Sequence, residues 1–155
     1  MRSWPSDRGA RPLVAGLSAV ALVGLLGGCG NEKADFRVQK LNPLVKRVGE
    51  ERATLAAVLR ASRPGRARDA QALRGQLTRL GGAMQRIAAL KPPDGVDGPF
   101  RTYTKANAAV LNSLRSFVEA FAAGRSALQQ VAARRTGVSL ARANQAQTKL
   151  QHALT

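Results

Sequence analysis

Few side chains in this sequence of 155 residues are of a type that does chemistry: one cysteine, one histidine and nine acids. The thiol, Cys29, is a nucleophile when ionised. The histidine, His152, sits near the C-terminus, where a cation favours a helix end. Alone it cannot build a zinc site without remote carboxylates, and no Cys-x-x-Cys-His sequence offers an attachment point for haem. Glu50 and Glu51 are adjacent, so on a helix they diverge by about 100° and cannot face each other as an acid–base pair; ion pairs with Arg47 are the expected use. Asp69 and Glu119 fall on different helices with no partner of matched role. The run Asp94-Gly95-Val96-Asp97-Gly98 is rich in oxygen, but Lys105 stands at the twelfth position, where a calcium loop needs glutamate, so these aspartates read as turn and cap residues. Ser113, Ser116, Ser126 and Ser139 have no histidine patterned to activate them. Gly27-Gly28 and Gly81-Gly82 lack the strand, turn and lysine of a phosphate loop. No catalytic residue, metal site or non-covalent cofactor is expected, and the chain reads as a non-enzyme.

Cys29 has a context of its own. Arg2, Arg8 and Arg11 precede an uncharged, largely apolar stretch over residues 12–28. A basic start, an apolar middle and small residues before a cut describe an export signal. Residues 13–28 would make about 24 Å of helix, short of a hydrocarbon core of about 30 Å, and Gly16, Gly24, Gly27 and Gly28 weaken a stable span. A transmembrane anchor and a secretory cut elsewhere are the competing readings. Leu26-Gly27-Gly28-Cys29 resembles the lipobox of bacterial lipoproteins. That resemblance covers about residues 1–30 and concerns processing alone. It implies a signal peptide over 1–28, diacylglycerol with palmitate-type chains on Cys29, and a mature protein held outside the cell on the cell membrane or outer membrane. Two acyl chains give stable anchoring where one is marginal.

Removing Arg2, Arg8, Arg11 and Asp7 with the leader leaves 22 basic and 8 acidic side chains, a net charge of +14. No other cysteine remains, so the mature chain forms no internal disulfide. The charge favours anionic partners, phospholipid headgroups or cell-wall polymers, although a 19-to-6 excess of arginine over lysine is also what a GC-rich genome produces. Nucleic acid is not expected, because aromatics are not interleaved with the basic residues.

The elements that must position these groups are helical. Residues 29–34 read as a lipidated tether and 35–155 as the folded domain. Leu41, Leu44, Val48, Leu55 and Leu59 recur at helical steps, giving either a helix over 34–62 kinked at Pro43 or a short turn followed by 43–62. Pro64-Gly65 is a turn. Ala70, Leu73, Leu77, Leu80, Met84 and Ile87 form one seam over 66–90. Residues 91–99, with three prolines and two glycines, read as a loop. Phe100, Tyr103, Asn107, Val110, Leu114, Phe117 and Phe121 start a third helix. Its seam continues through Leu128 and Val131 to about residue 134, long or bent at Gly124. Thr136-Gly137 breaks it, and Leu140, Ala143, Leu150 and Leu154 mark a fourth helix over 139–153. The expected fold is an all-α, up-down-up-down four-helix bundle, and the pattern is similar to many small helical envelope lipoproteins.

The expected role is non-catalytic binding or scaffolding at the cell envelope, through the membrane and a protein partner. Lys33, Arg37, Lys40, Lys46 and Arg47 follow the anchor and are the candidate contacts for anionic lipid. Tyr103 and Asn107, one turn apart on the seam, are read first as a buried device that fixes register. The alternative is a small-ligand sensor or carrier, with a pocket between Tyr103, Asn107 and Gly81-Gly82.

Overall fold

The structure is a computed structural model that describes residues 32–155; the leader, Leu26, Gly27, Gly28 and Cys29 lie outside the described residues. Helix α1 runs unbroken through an α turn, Glu32–Asp35, a π-helical stretch, Phe36–Leu41, and an α-helix, Asn42–Ala61. Helices α2 (Ala67–Ala88), α3 (Asp97–Ala122) and α4 (Ser126–Ala153) follow, and the described residues contain no strand. Each helix packs on the next. Phe36 of α1 meets Phe100 of α3 edge to face across the bundle, with centroids 5.9 Å apart, and Leu41 and Val45 of α1 share a cavity wall with Leu150 and Leu154 at the end of α4. This is the up-down-up-down four-helix bundle that the periodicity requires.

Pro43 explains the π segment. Proline donates no N–H and its ring collides with the carbonyl four residues back. Here the preceding turn widens, and the Asn42 N–H donates to the Arg37 carbonyl five residues back. The helix therefore passes Pro43 without breaking, the continuous form of the two expected. The wide turn also keeps both Phe36 and Leu41 in the core. Glu32–Ala34, read as tether, are instead the first helical turn.

The boundary between the third and fourth helices moves. α3 ends at Ala122, and the bend expected at Gly124 is a complete reversal. Gly124 adopts φ +64°, the Arg125 N–H donates to the Ala120 carbonyl at 3.0 Å, and the Gly124 N–H donates to that of Phe121 at 3.1 Å. This bonding pattern is the left-handed glycine stop that satisfies the last carbonyls of a helix. Thr136 and Gly137, expected to break the chain, lie inside α4. Thr136 is fully buried, and its hydroxyl donates to the Ala132 carbonyl at 2.9 Å, so the group that argues for a turn is satisfied within the helix. Residues 97–99, assigned to the preceding loop, form the first turn of α3. Pro99 is tolerated there because first-turn N–H groups have no helical acceptor.

α3 and α4 make the most extensive helix contact, lined in part by the small buried side chains Ala132, Ala133, Ala143 and Ala146. Gly65, at φ +78°, brings its Cβ position within 4.0 Å of the Gly124 backbone, and its N–H donates to the Phe121 carbonyl at 3.0 Å. The α1–α2 and α3–α4 turns are thus fastened together at one end. The start of α1, the start of α3 and the end of α4 gather at the other.

Candidate functional site

Three places are candidates for function: the basic stretch at the start of α1, the polar positions on the α3 seam, and whatever surface the core leaves over. Of the basic side chains, Lys33 and Arg37 are half-buried, and Lys40, Lys46 and Arg47 are exposed. Arg47 is engaged: its guanidinium lies 2.8 Å from a Glu51 carboxylate oxygen and 3.6 Å from Glu50. The ion pairs expected of Glu50 and Glu51 are present, but Glu51 is not a surface group. It is buried beneath Arg47 and accepts a 2.6 Å hydrogen bond from Gln76 Nε2 of α2. Neither carboxylate faces a second titratable acid as an acid–base pair would.

Tyr103 and Asn107 point into the bundle as the seam predicts, and both are buried. Asn107 Nδ2 donates to the Tyr103 carbonyl at 3.1 Å. Its Oδ1 accepts from Arg52 Nη2 of α1 at 2.9 Å. Sequence reasoning missed Arg52, because a single arginine one residue after two acids looks solvated. Burial lowers its pKa, with Tyr103 acting weakly against this, and the side chain has no carboxylate partner among the described residues. Its Nε is buried without a hydrogen bond. Burial raises the Tyr103 phenol above its usual value, opposed by the Asn107 amide and the Arg52 charge. The arrangement ties α1 to α3 through one amide and so fixes their register.

The pocket imagined at this level is small. A cavity of about 10 Å³ lies between α1, α3 and α4 and has Tyr103 and Asn42 on its wall, room for roughly one water. Gly81 does not open a cavity either: a Cβ placed there would stand 3.2 Å from Leu111 Cδ2. Gly81 instead lets α2 approach α3.

The larger depression lies elsewhere, at the end of the bundle opposite Glu32. It has a volume of about 290 Å³ and runs between the end of α3 and the start of α4. Ala120, Ala123 and Ala132 line it, together with Leu128, Val131, Arg125 and Arg135. Leu128 and Val131, expected in the core, are 48% and 47% exposed. Glu119 at its margin is held by Arg74 of α2 in a bidentate pair, at 2.9 and 2.7 Å. This pairing raises the arginine pKa and lowers that of the carboxylate, the hydrogen bond being the largest cause in each case.

No protein family, curated protein or solved structure matches this chain.

Chemically, four of the described acids are engaged in structural contacts. Asp69 Oδ2 accepts from the Arg63 N–H at 2.8 Å, fastening the α1–α2 turn, and Glu50, Glu51 and Glu119 hold arginines. Ser113 and Ser139 face each other across α3 and α4 at 3.1 Å, with no base beside them, and His152 is exposed near the end of α4. Among the described residues no group of three or more His, Cys, Asp or Glu gathers as metal ligands would. No described helix is long and apolar enough to cross a membrane. The described surface carries exposed basic side chains and an apolar trough at Leu128 and Val131.

Proposed function

We propose that this chain is a lipoprotein held outside the cell by diacylglycerol on Cys29, with a non-catalytic binding or scaffolding role at the cell envelope. The observation that carries this reading is the position of Leu26-Gly27-Gly28-Cys29. The lipobox-like thiol stands three residues ahead of Glu32, the first described residue of the helical bundle. A link that short spans only about 10 Å when extended, so acylation would seat the bundle directly on the lipid surface.

Mass analysis of the protein extracted from membranes tests the reading. The expected chain begins at Cys29 and carries the added mass of a diacylglycerol thioether, and a Cys29→Ala chain keeps its leader. A free thiol at Cys29 in the membrane-extracted protein would refute the proposal.

A further inference from the structure

We infer that the outer face of α4 and the trough beside it dock an acidic amphipathic helix of a partner protein. Leu128, Val131, Arg135, Val138 and Arg142 follow one another at steps of three, four, three and four along α4. That is the spacing of a coiled-coil seam, and it lies on the side of α4 turned away from the core. Leu128, Val131 and Val138 are each about half exposed, whereas the inward seam over residues 128–138 is built from Ala132, Ala133 and Thr136. Over residues 128–138 the helix thus carries larger apolar side chains outside than inside, before Leu140 returns to the core. A solvated helix has no use for that pattern, and a helix with a second partner does.

Charge decides the occupant. α4 contains Arg134, Arg135, Arg142 and Lys149 and no acidic residue at all. Arg125 and Arg135 border the trough, and neither forms an ion pair among the described residues. The one carboxylate nearby, Glu119, is already neutralised by Arg74. A second copy of this chain would set arginine against arginine in parallel and would bring no acid from its own α4 in either direction. A helix with leucines at seam positions and glutamates beside them meets both demands: its apolar ridge fills the alanine-floored trough, and its acids face the arginines at seam positions. The stretch from 128 to 142 is about 21 Å long, which suits a partner segment of about two heptads. The surface goes beyond the anchor and holds whether or not Cys29 is acylated, so this experiment and the mass analysis fail separately.

The test uses the full-length, membrane-extracted protein in phosphatidylcholine nanodiscs and three labelled synthetic helices read by fluorescence anisotropy. One carries a leucine heptad seam flanked by glutamate, one the same seam flanked by lysine, and one the acidic composition with its leucines scrambled. The acidic seam peptide is expected to bind at least about tenfold more tightly than either control. Val131→Asp is expected to weaken it by about tenfold or more. Arg135→Glu is expected to shift preference towards the lysine-flanked peptide. Circular dichroism of each variant checks that the bundle stays folded, and Leu128→Ala, a milder change on the same face, gives a second variant. Acidic binding that ignores both Val131→Asp and Leu128→Ala is diffuse attraction to a cationic protein and overturns the proposal. Self-association abolished by Val131→Asp would assign the face to a second copy. Displacement of the peptide by phosphatidylglycerol vesicles, with the loss following Val131→Asp, would assign it to lipid. Either result overturns it too.

Discussion

Replacing Asn107 by leucine tests whether one amide fixes the register of the bundle. Leucine has the same branching and is somewhat larger, so no cavity forms, but Arg52 Nη2 loses the acceptor now 2.9 Å away. A hydrogen bond to a charged group contributes about 1.5–3 kcal/mol. The guanidinium then stays part-buried with its Nε already unpartnered, adding about 1 kcal/mol or more of uncompensated desolvation. Arg52 is not fully buried and its head group has a route to water, which holds the expected cost to about 2–4 kcal/mol. Arg52→Met, by contrast, removes the buried charge along with the contact. The unpaired Asn107 oxygen and the gain from apolar packing nearly offset, leaving stability within about 1 kcal/mol of the parent. The double variant, Arg52→Met with Asn107→Leu, is expected at or above parental stability, giving a coupling of about 2–3 kcal/mol. Urea unfolding followed by helical circular dichroism measures all four proteins. With a slope of about 1–3 kcal/mol per molar urea, Asn107→Leu lowers the midpoint by roughly 1–2 M. Additive single variants, or a cost for Asn107→Leu below about 0.5 kcal/mol, would show that Arg52 does not depend on this amide and that the two helices find their register through apolar packing alone.

Two further outcomes follow from local geometry. Gly75, Gly82 and Gly137 sit within helices, and no atom lies within 4 Å of the place a Cβ would take, so each change to alanine is expected to stabilise by about 0.5–1 kcal/mol in thermal or urea unfolding; Gly124→Ala, at positive φ, is expected to destabilise by about 1 kcal/mol or more. Tyr103 is the only tyrosine, so tyrosinate absorbance reports it alone: burial raises its pKa, and its midpoint in the folded protein is expected above 10, falling to about 10 in denaturant. The linked stability is fully present below the unfolded value and is lost as pH rises through the folded one; a folded midpoint at or below 10 would mean that the phenol is solvated.

The sequence disclosed most where the pattern was strong and the side chains were large. The α2 seam, Ala70 through Ile87, is buried throughout, and Leu140, Ala143, Leu150 and Leu154 face the core as their spacing required. It misled at residues 123–138. There the larger apolar residues Leu128, Val131 and Val138 prolong the α3 period in register, while the true contact is made by alanines and a threonine. Close packing of two helices selects small side chains at the contact, so hydropathy pointed to the wrong face. Thr136-Gly137 failed as a breaker because Thr136 bonds back to its own helix, a choice that only burial settles. Gly124 stands out in the sequence as a bend, and the left-handed glycine stop it builds reverses the chain. Of the candidate polar site, Tyr103 and Asn107 were legible as a pair one turn apart, but Arg52, 55 residues away in sequence, was not, because no local spacing connects them.

The anchored reading also divides the basic stretch that sequence alone groups together. With acylation at Cys29 and helix from Glu32 onwards, a bundle standing on its end places Lys33, Arg37 and Lys40 within about 12 Å of its base along the helix, whereas Lys46 and Arg47 lie about 21 Å or more above it. Screening at physiological salt acts over about 8 Å, so the upper pair gains from anionic headgroups only if α1 lies down along the membrane. Arg47 has less to gain still, because Glu50 and Glu51 already hold it. Upright packing therefore assigns headgroup contact to the first turns of α1 and leaves Arg47 to the Glu51–Gln76 link between α1 and α2. It also carries the trough at Leu128 and Val131 to the end furthest from lipid. Leu128 is 26 residues from Leu154, which sits at the base, a separation of about 39 Å along α4. An anchor at one end and an unfilled apolar seam at the other are the two requirements for presenting a docking face away from the membrane.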